Sequence, residues 1–374
     1  MSRRPTLPPG HLPLSALPLE RDWQERLDTI AAQRGLVGHA KLSVLGPALR
    51  EVSDAYNAAK FDLAWTPARL AARLHFFLPR DQAKVVGALR DVAPPAAWRA
   101  EGPPLVIGDL GAGIGASAVG VVRALRAHGV TRALHVVLVD RDAAALTLAQ
   151  AVLAALPGVT VHVAGELPPR CDVVVLAQVL VEVAGGRDDA GGDNAAFGVL
   201  EGARQRLAAG GLFVIVEPAL LPTTRRLQRL RDRLVAEGAV VSAPCPHGGR
   251  CAMLDRPGDW CHDDLGVDLP GWVHPLARAA GLRWQGLTFS RLVLGGESPR
   301  PAFRVVAPPR DTRGRNERLL CGEHPDGSTL RWVDRLERHA SDDNAAFADL
   351  ARGQGLDLLP AGARVGPDTR VVRR

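Results

Sequence analysis

Four of the five cysteines lie beyond residue 240, three of them close together: Cys245, Cys251 and Cys261 stand at C-x5-C-x9-C spacing in VSAPCPHGGRCAMLDRPGDWCHDD, with Cys321 further on in LLCGEHPDG. A Pro- and Gly-rich loop has little core of its own, so it needs a staple. Four converging thiolates can hold Zn2+ or an iron–sulfur cluster, and the spacing does not choose between them. It departs from the short C-x2-C knuckles of common zinc ribbons. Unligated core cysteines are the plain alternative, and Pro244-Cys245 admits a third chemistry, a thiolate attacking a pyrimidine ring in cytosine C5 methylation. Cys171 opens an apolar run and reads as a small buried hydrophobe.

The second chemical stretch is VIGDLGAGIG, Val106 to Gly115. Val106 and Ile107 suit a buried parallel strand, Asp109 stands near its carboxyl end, and Gly111, Gly113 and Gly115 let the backbone turn tightly against a ligand. A helix follows over 116–128. LHVVLVD then reads as a second buried strand whose terminal Asp140 is placed to bind ribose hydroxyls, as in a doubly wound nucleotide fold.

Positioning these groups requires alternating strands and helices. The sequence predicts a helix over about 142–155, strands over 159–163, 171–178 and 212–217, and a helix over about 195–208, the pattern of a parallel sheet covered on both faces. Ahead of it, Trp23, Leu27, Ile30 and Ala31 share one helical face, Pro47 precedes another apolar stripe, and Thr66-Pro67 caps a third. Prolines 94, 95, 103 and 104 mark the boundary. The polar stretch 184–194 reads as an insertion on the carboxyl side of the sheet. TTRRLQRLRDRLVAEG, with Arg225, Arg226, Arg229, Arg231 and Arg233, reads as a basic helix that either solvates a face or contacts RNA phosphates. Two more strands, 287–294 and 303–306, bring Cys321 back toward the loop.

The 374 residues can bury a large core. The net charge of +6 fits an acidic polymer as partner, although the skew to Arg over Lys equally fits GC-rich coding. The amino terminus holds too many prolines for a signal-peptide core, and no run of about 18 apolar residues suggests a membrane span. The expectation is a soluble cytoplasmic protein, with cysteines for metal or catalysis instead of disulfides.

Taken together, DLGAGIG, the acid after the second strand, GGLFVIVEPA, APCPHGGRC and DWCH resemble the methyltransferase-like family associated with the small ribosomal subunit, known from the mitochondrial ribosome and from bacterial relatives. The resemblance covers roughly residues 40–330. It implies a class I methyltransferase (Rossmann-like) α/β fold binding S-adenosylmethionine, with Asp109, Gly111, Gly113 and Gly115 around the methionine part and Asp140 on the ribose. It further implies a [4Fe-4S] cluster on Cys245, Cys251, Cys261 and Cys321, with Zn2+ as alternative, and a role in small-subunit assembly through rRNA. The organisation expected is a disordered arm (1–18), a helical amino-terminal domain (19–100), the methyltransferase core (101–240), a Cys-rich metal-binding insertion with the final sheet strands (241–330) and a carboxyl tail (331–374), in a chain that is a monomer off the ribosome. Two departures from the family pattern are Ala252 after the second cysteine and the acids Asp263 and Asp264 after DWCH.

No catalytic residue is fixed by this pattern. VLVEV after Gln178 lacks the Asn/Asp-Pro-Pro-aromatic motif that orients an exocyclic amine; Gln178 and Glu182 are the side chains expected near the donor. A non-catalytic RNA-binding assembly module with a retained donor site is therefore the second reading. A dinucleotide oxidoreductase is the third, because the glycines also satisfy the looser dinucleotide fingerprint.

Overall fold

The computed structural model describes residues 19, 22–185, 187–266, 269–282, 286–298 and 300–374; the arm expected over 1–18 lies outside them. Four helices come first: α1 (Trp23–Gln33), α2 (Leu42–Asn57), α3 (Pro67–Ala72) and, after a π-helical turn over Arg73–Phe77, α4 (Leu78–Ala88). Thr66 caps α3 by accepting from the Arg69 amide, with Pro67 in the first turn, as its sequence signals. These helices divide between two cores: Leu45, Leu49 and Val52 of α2 pack with Ala71, Phe76, Phe77, Val273 and Leu276 in a cluster of their own. Trp23, Leu27 and Ile30 of α1 and Val85 of α4 join the cluster that covers one face of the central sheet, and α4 lies so close to the next helix that a Cβ on Gly120 would stand 2.6 Å from the Val85 Cβ.

The central unit runs β1 (Leu105–Leu110), α5 (Ala116–Ala127), β2 (Leu134–Val139), α6 (Ala143–Ala154), β3 (Val159–Val163), β4 (Cys171–Ala177), α7 (Leu180–Val183), α8 (Ala190–Arg204), β5 (Leu207–Pro218), α9 (Leu221–Ala236), β6 (Val241–Ala243), β7 (Asp263–Leu265), α10 (Val273–Ala279) and β8 (Leu287–Leu294). The sheet order is β3-β2-β1-β4-β5-β8-β6, with β7 also on β8. Strands β1 to β5 pair in parallel, whereas β8 is antiparallel to both β5 and β6. This mixed sheet is the class I methyltransferase arrangement. It removes the oxidoreductase reading, since a dinucleotide fold continues in parallel past its fifth strand. Alternation along each strand sorts side chains to two cores: Val173, Val175, Val214 and Val216 face the amino-terminal helices, while Val174, Leu176, Phe213 and Ile215 face α8 and α9. The stretch read as an insertion over 184–194 is shorter as a loop, because Asp189 accepts from the Gly192 amide and starts α8 at Ala190.

The carboxyl segment is not a tail. It forms a second sheet from β9 (Phe303–Val305), β10 (Arg310–Thr312), β11 (Arg315–Gly322), β12 (Leu330–Leu336), β13 (Gly355–Leu359), β14 (Arg364–Val365) and β15 (Arg370–Arg373), in the order β14-β12-β11-β9-β13-β15. The last segment pairs with both ends, β14 parallel to β12 and β15 antiparallel to β13, which closes the sheet into a barrel. Phe303, Leu320, Val333, Phe347, Leu356 and Val371 fill its interior. The circuit of strands, with 3-10 turns between β12 and β13, has the topology of the small five-stranded barrels that bind oligonucleotides and oligosaccharides.

One carboxylate ties the layers together. Asp263, fully buried at the start of β7, accepts from Arg90 beyond α4, from Arg291 of β8 (3.1 Å) and from Arg304 of β9 (2.9 Å). Arg291 also grips Asp91 through both terminal nitrogens. The guanidinium groups hold the Asp263 carboxyl far below the usual carboxylate range despite burial. Replacing it by Ala removes the acid that Arg90 and the buried Arg291 and Arg304 share, so Asp263→Ala is expected to cost roughly 3–5 kcal/mol in urea unfolding. Because the folded-state pKa is depressed, the carboxylate's contribution is fully present above its unfolded value of about 3.9 and is lost as pH falls below it; the variant's stability should change less with pH across that range.

Candidate functional site

The glycine turn is built by backbone pairing and by two acids. Beyond β1, the Gly111 and Ala112 amides donate to the Val139 carbonyl at 2.8 and 3.2 Å, which folds the turn over the end of β2. Gly111 (φ +74°) and Gly113 (φ +50°) occupy left-handed backbone, and a Cβ at Gly111 would overlap Val179. Asp140 accepts from the Gly113 amide (2.7 Å) and from the Asp142 amide (2.9 Å), and Asp142 in turn caps α6 through the Ala145 amide. The acid after β2 therefore shapes the turn it faces.

A cavity of about 570 Å³ opens at the carboxyl ends of β1, β2 and β4. Of the five residues expected at a cofactor, Gly111, Gly113 and Asp140 line it, together with Gly165, Gln178 and Glu182. Asp109 and Gly115 are not among its lining residues. Asp109 is buried beneath the turn, accepting from the Ser117 hydroxyl (2.6 Å) and the Ala118 amide (3.0 Å) at the start of α5. Burial pushes its carboxyl up to about 7, against the two hydrogen bonds, and its second oxygen has no partner. Gly115 is the N-cap of α5, packed on Ala149. Both hold the turn from behind.

Gln178 is in left-handed backbone (φ +63°), unusual for a side chain of its kind, and its amide is tied to the Val216 carbonyl (2.7 Å). Burial, ahead of the opposing Arg141 charge, raises the Glu182 carboxyl. The opposite wall comes from the amino-terminal helices: Tyr56, Phe61, Arg73 and Phe77. Tyr56 and Phe77 belong to apolar stripes that read as core, since such a stripe gives no sign that its edge borders a cleft.

The cysteines converge at a different place. Strands β6 and β7 share the outer edge of β8, so the loop between them starts and ends on one edge, which brings Cys245 and Cys261 together. Cys321 reaches the same point from β11, beside Arg304 in the pairing register. All four line one cavity of about 50 Å³ with Arg231, His247 and Arg304. Burial and the neighbouring thiols push the Cys251 thiol up to about 12, burial raises Cys261, and burial with the other three cysteines takes Cys321 well above its ordinary value. His247 Nε2 lies 3.3 Å from the Cys321 sulfur. No group of three or more His, Cys, Asp or Glu side chains among the described residues is arranged to hold a metal ion. The glycine-turn cavity shares no lining residue with this one, so Cys245 does not stand where a nucleophile beside a methyl donor would.

The arginines assigned to RNA have protein partners instead. Arg226, 3% exposed, bonds Asp193 at 3.2 Å, and Arg229 binds both Asp193 and Asp188 (2.8 Å) on the segment that opens α8. Arg233 stacks on Phe197 with its guanidinium 3.5 Å from the ring centroid. Arg225 donates to the carbonyls of Met253, Leu254 and Arg256, Arg231 to those of His247 and Gly249, and Asp232 accepts from the Cys251 amide. Helix α9 is a brace: one side clamps α8, the other holds the cysteine loop by its backbone.

No curated protein matches the sequence. Among solved structures the chain is similar to a methyltransferase from Pyrococcus furiosus (13% identity, 66% of this chain and 95% of that one, TM-score 0.32). It is also similar to a precorrin-6y C5,15-methyltransferase from Geobacter metallireducens (15%, 57% and 87%, TM-score 0.31) and to a loganic acid methyltransferase with SAH (12%, 60% and 94%, TM-score 0.33). Overlaps this loose say nothing about function. Residues 83–333 match the family model described as mitochondrial small ribosomal subunit Rsm22. That match runs from α4 through the whole methyltransferase-like sheet and the cysteine loop into the barrel, and the chain therefore belongs to the Rsm22 family.

Proposed function

We propose that this protein binds S-adenosylmethionine at the glycine turn and acts as a methyltransferase-like factor on or with the rRNA of the small ribosomal subunit, carrying an iron–sulfur cluster on Cys245, Cys251, Cys261 and Cys321. The observation that carries the first part is the cavity at the carboxyl ends of β1, β2 and β4, walled by Gly111, Gly113 and Asp140. The bound donor would supply an electrophilic methyl group on a sulfonium. Gly111 and Gly113 leave room for it against the backbone, Asp140 offers carboxylate oxygens to the ribose hydroxyls, and the aromatic wall of Tyr56, Phe61 and Phe77 keeps water from its apolar surface. The ribosomal part rests on the family description; it gains support from the net charge of +6 and from the barrel's strand order. On the barrel Arg310 stacks on Trp332 at 4.0 Å, a pairing suited to unstacked bases. We place the protein in the cytoplasm as a monomer off the ribosome; the family's own description is mitochondrial.

What supports the cluster is the chemistry of the donor set, although the side chains as they stand form no metal-holding group among the described residues. Four thiols face one small cavity, Arg231 and Arg304 stand beside them as counter-cations, and Met253, Val306 and Leu319 keep it dry. Thiols held neutral by burial and by each other become thiolates when metal binds, so assembly releases protons and fixes the loop. Zn2+ on the same sulfurs is the alternative.

Titration calorimetry with S-adenosylhomocysteine should show one site per chain, and Asp140→Ala should weaken it at least about tenfold; absence of binding to the native chain would retire the donor reading. Failure to transfer labelled methyl to small-subunit rRNA, with that binding intact, would favour the non-catalytic module. Protein purified without oxygen should carry about four irons and four acid-labile sulfides per chain, lost in Cys321→Ser. Stoichiometric zinc instead would make the loop a structural clip.

A further inference from the structure

The helical layer ahead of the sheet places a charge over the glycine turn. Arg73 is the first residue of the π-helical turn, and such turns, with their extra residue, recur at functional sites because they re-aim a side chain. Its guanidinium lies over the Trp65 ring, 4.2 Å from the centroid, and Nη1 is 3.3 Å from an oxygen of Asp142, the cap of α6. With 13% of the side chain exposed, the fork is fixed from two sides. Its Nη2 lies 2.6 Å from where a Cβ on Gly113 would be, so the absence of a side chain at Gly113 is what gives this cation its place. The Asp142 contact engages one end of a fork with five N–H donors, and the group lines the cavity.

Two other arginines stand near this cleft, and neither competes. Arg141 is 73% exposed, bonded to the Phe61 carbonyl and 3.5 Å from Glu182. Arg80 is paired with Asp81. Asp140, the acid placed for the ribose, accepts from the Gly113 amide, and the Arg73 fork stands over the Cα of the same glycine. The remaining end of the donor is an amino acid, whose carboxylate must be matched when it leaves water.

We propose that Arg73 binds the α-carboxylate of the methyl donor, so that the amino-terminal helices complete a cofactor site which the sheet alone leaves open on one side. This rests on the donor reading above. The test compares S-adenosylmethionine with its decarboxylated analogue, which lacks only that carboxylate, by calorimetry on the full chain. The native protein should prefer the carboxylated ligand at least about tenfold. Arg73→Ala should abolish that preference by weakening the carboxylated ligand alone, and Arg73→Lys, which keeps the charge without the planar fork, should retain part of it. An equal loss for both ligands in Arg73→Ala would reduce Arg73 to a prop between Trp65 and Asp142 and overturn the proposal, as would a preference unchanged in both variants. A native chain that binds the two ligands equally would also overturn it while leaving the donor reading intact; a native chain that binds neither would sink that reading itself.

Discussion

A single carboxylate shared by three arginines, two of them buried, sets the geometry of this molecule. Asp263 begins the strand that leaves the cysteine loop, and its partners come from the amino-terminal helices, the central sheet and the barrel. Burying such a group is costly in itself, and the cost is offset only when every donor stands in place. The arrangement therefore acts more as a specification than as a source of stability: the sheet with its covering helices and the barrel, which have separate apolar clusters, have one relative placement in which no charge is stranded. Arg304 has a second duty, since it lies beside Cys321 in the register and lines the thiol cavity.

The cysteine loop is held from outside. Its residues between β6 and β7 contribute little apolar surface beyond Met253, and their carbonyls are satisfied by Arg225 and Arg231 of α9. The same helix fixes α8 through Arg226 and Arg229. A basic stripe that resembles a phosphate-binding face is thus consumed internally, each charge answered by an acid, an aromatic ring or a row of carbonyl dipoles. The exposed charge that remains for a polyanion lies elsewhere, in part on the barrel.

The elements that were legible were those with strong local signals. Strands 159–163 and 287–294 coincide with the reading from β-branched runs, and the helix expected over 142–155 is α6 within a residue at each end. The glycine turn and Asp140 were readable because their chemistry is local, tied to one strand–turn–helix unit. Less local features were not. Asp109 reads as a ligand group from its place in the motif, yet the pleat turns it under the helix, and only the structure distinguishes the two. The barrel escaped because its strands are short and rich in arginine; β14 has two residues, and its pairing with β12 spans some thirty positions. Nor could the sequence separate Arg226, which is buried, from an ordinary surface arginine, because the acids that neutralise it belong to α8. Arg73 and Tyr56 were hidden for a similar reason: periodicity reports which face is apolar and is silent about a cleft at its rim.

Closure of the barrel by β14 and β15 has a consequence for the order in which the chain can mature during synthesis. The β6 edge, Cys245, Cys251, Cys261 and the β8 strand they flank are all available once residue 294 has been made. Cys321 is held in position only by β11, whose neighbours belong to a sheet sealed by residues 364–373. A growing chain thus passes through a stage in which three thiols are gathered and the fourth is untethered. The set of four is complete only once β11 has paired with β9 and β12, the strands that hold Cys321 in place.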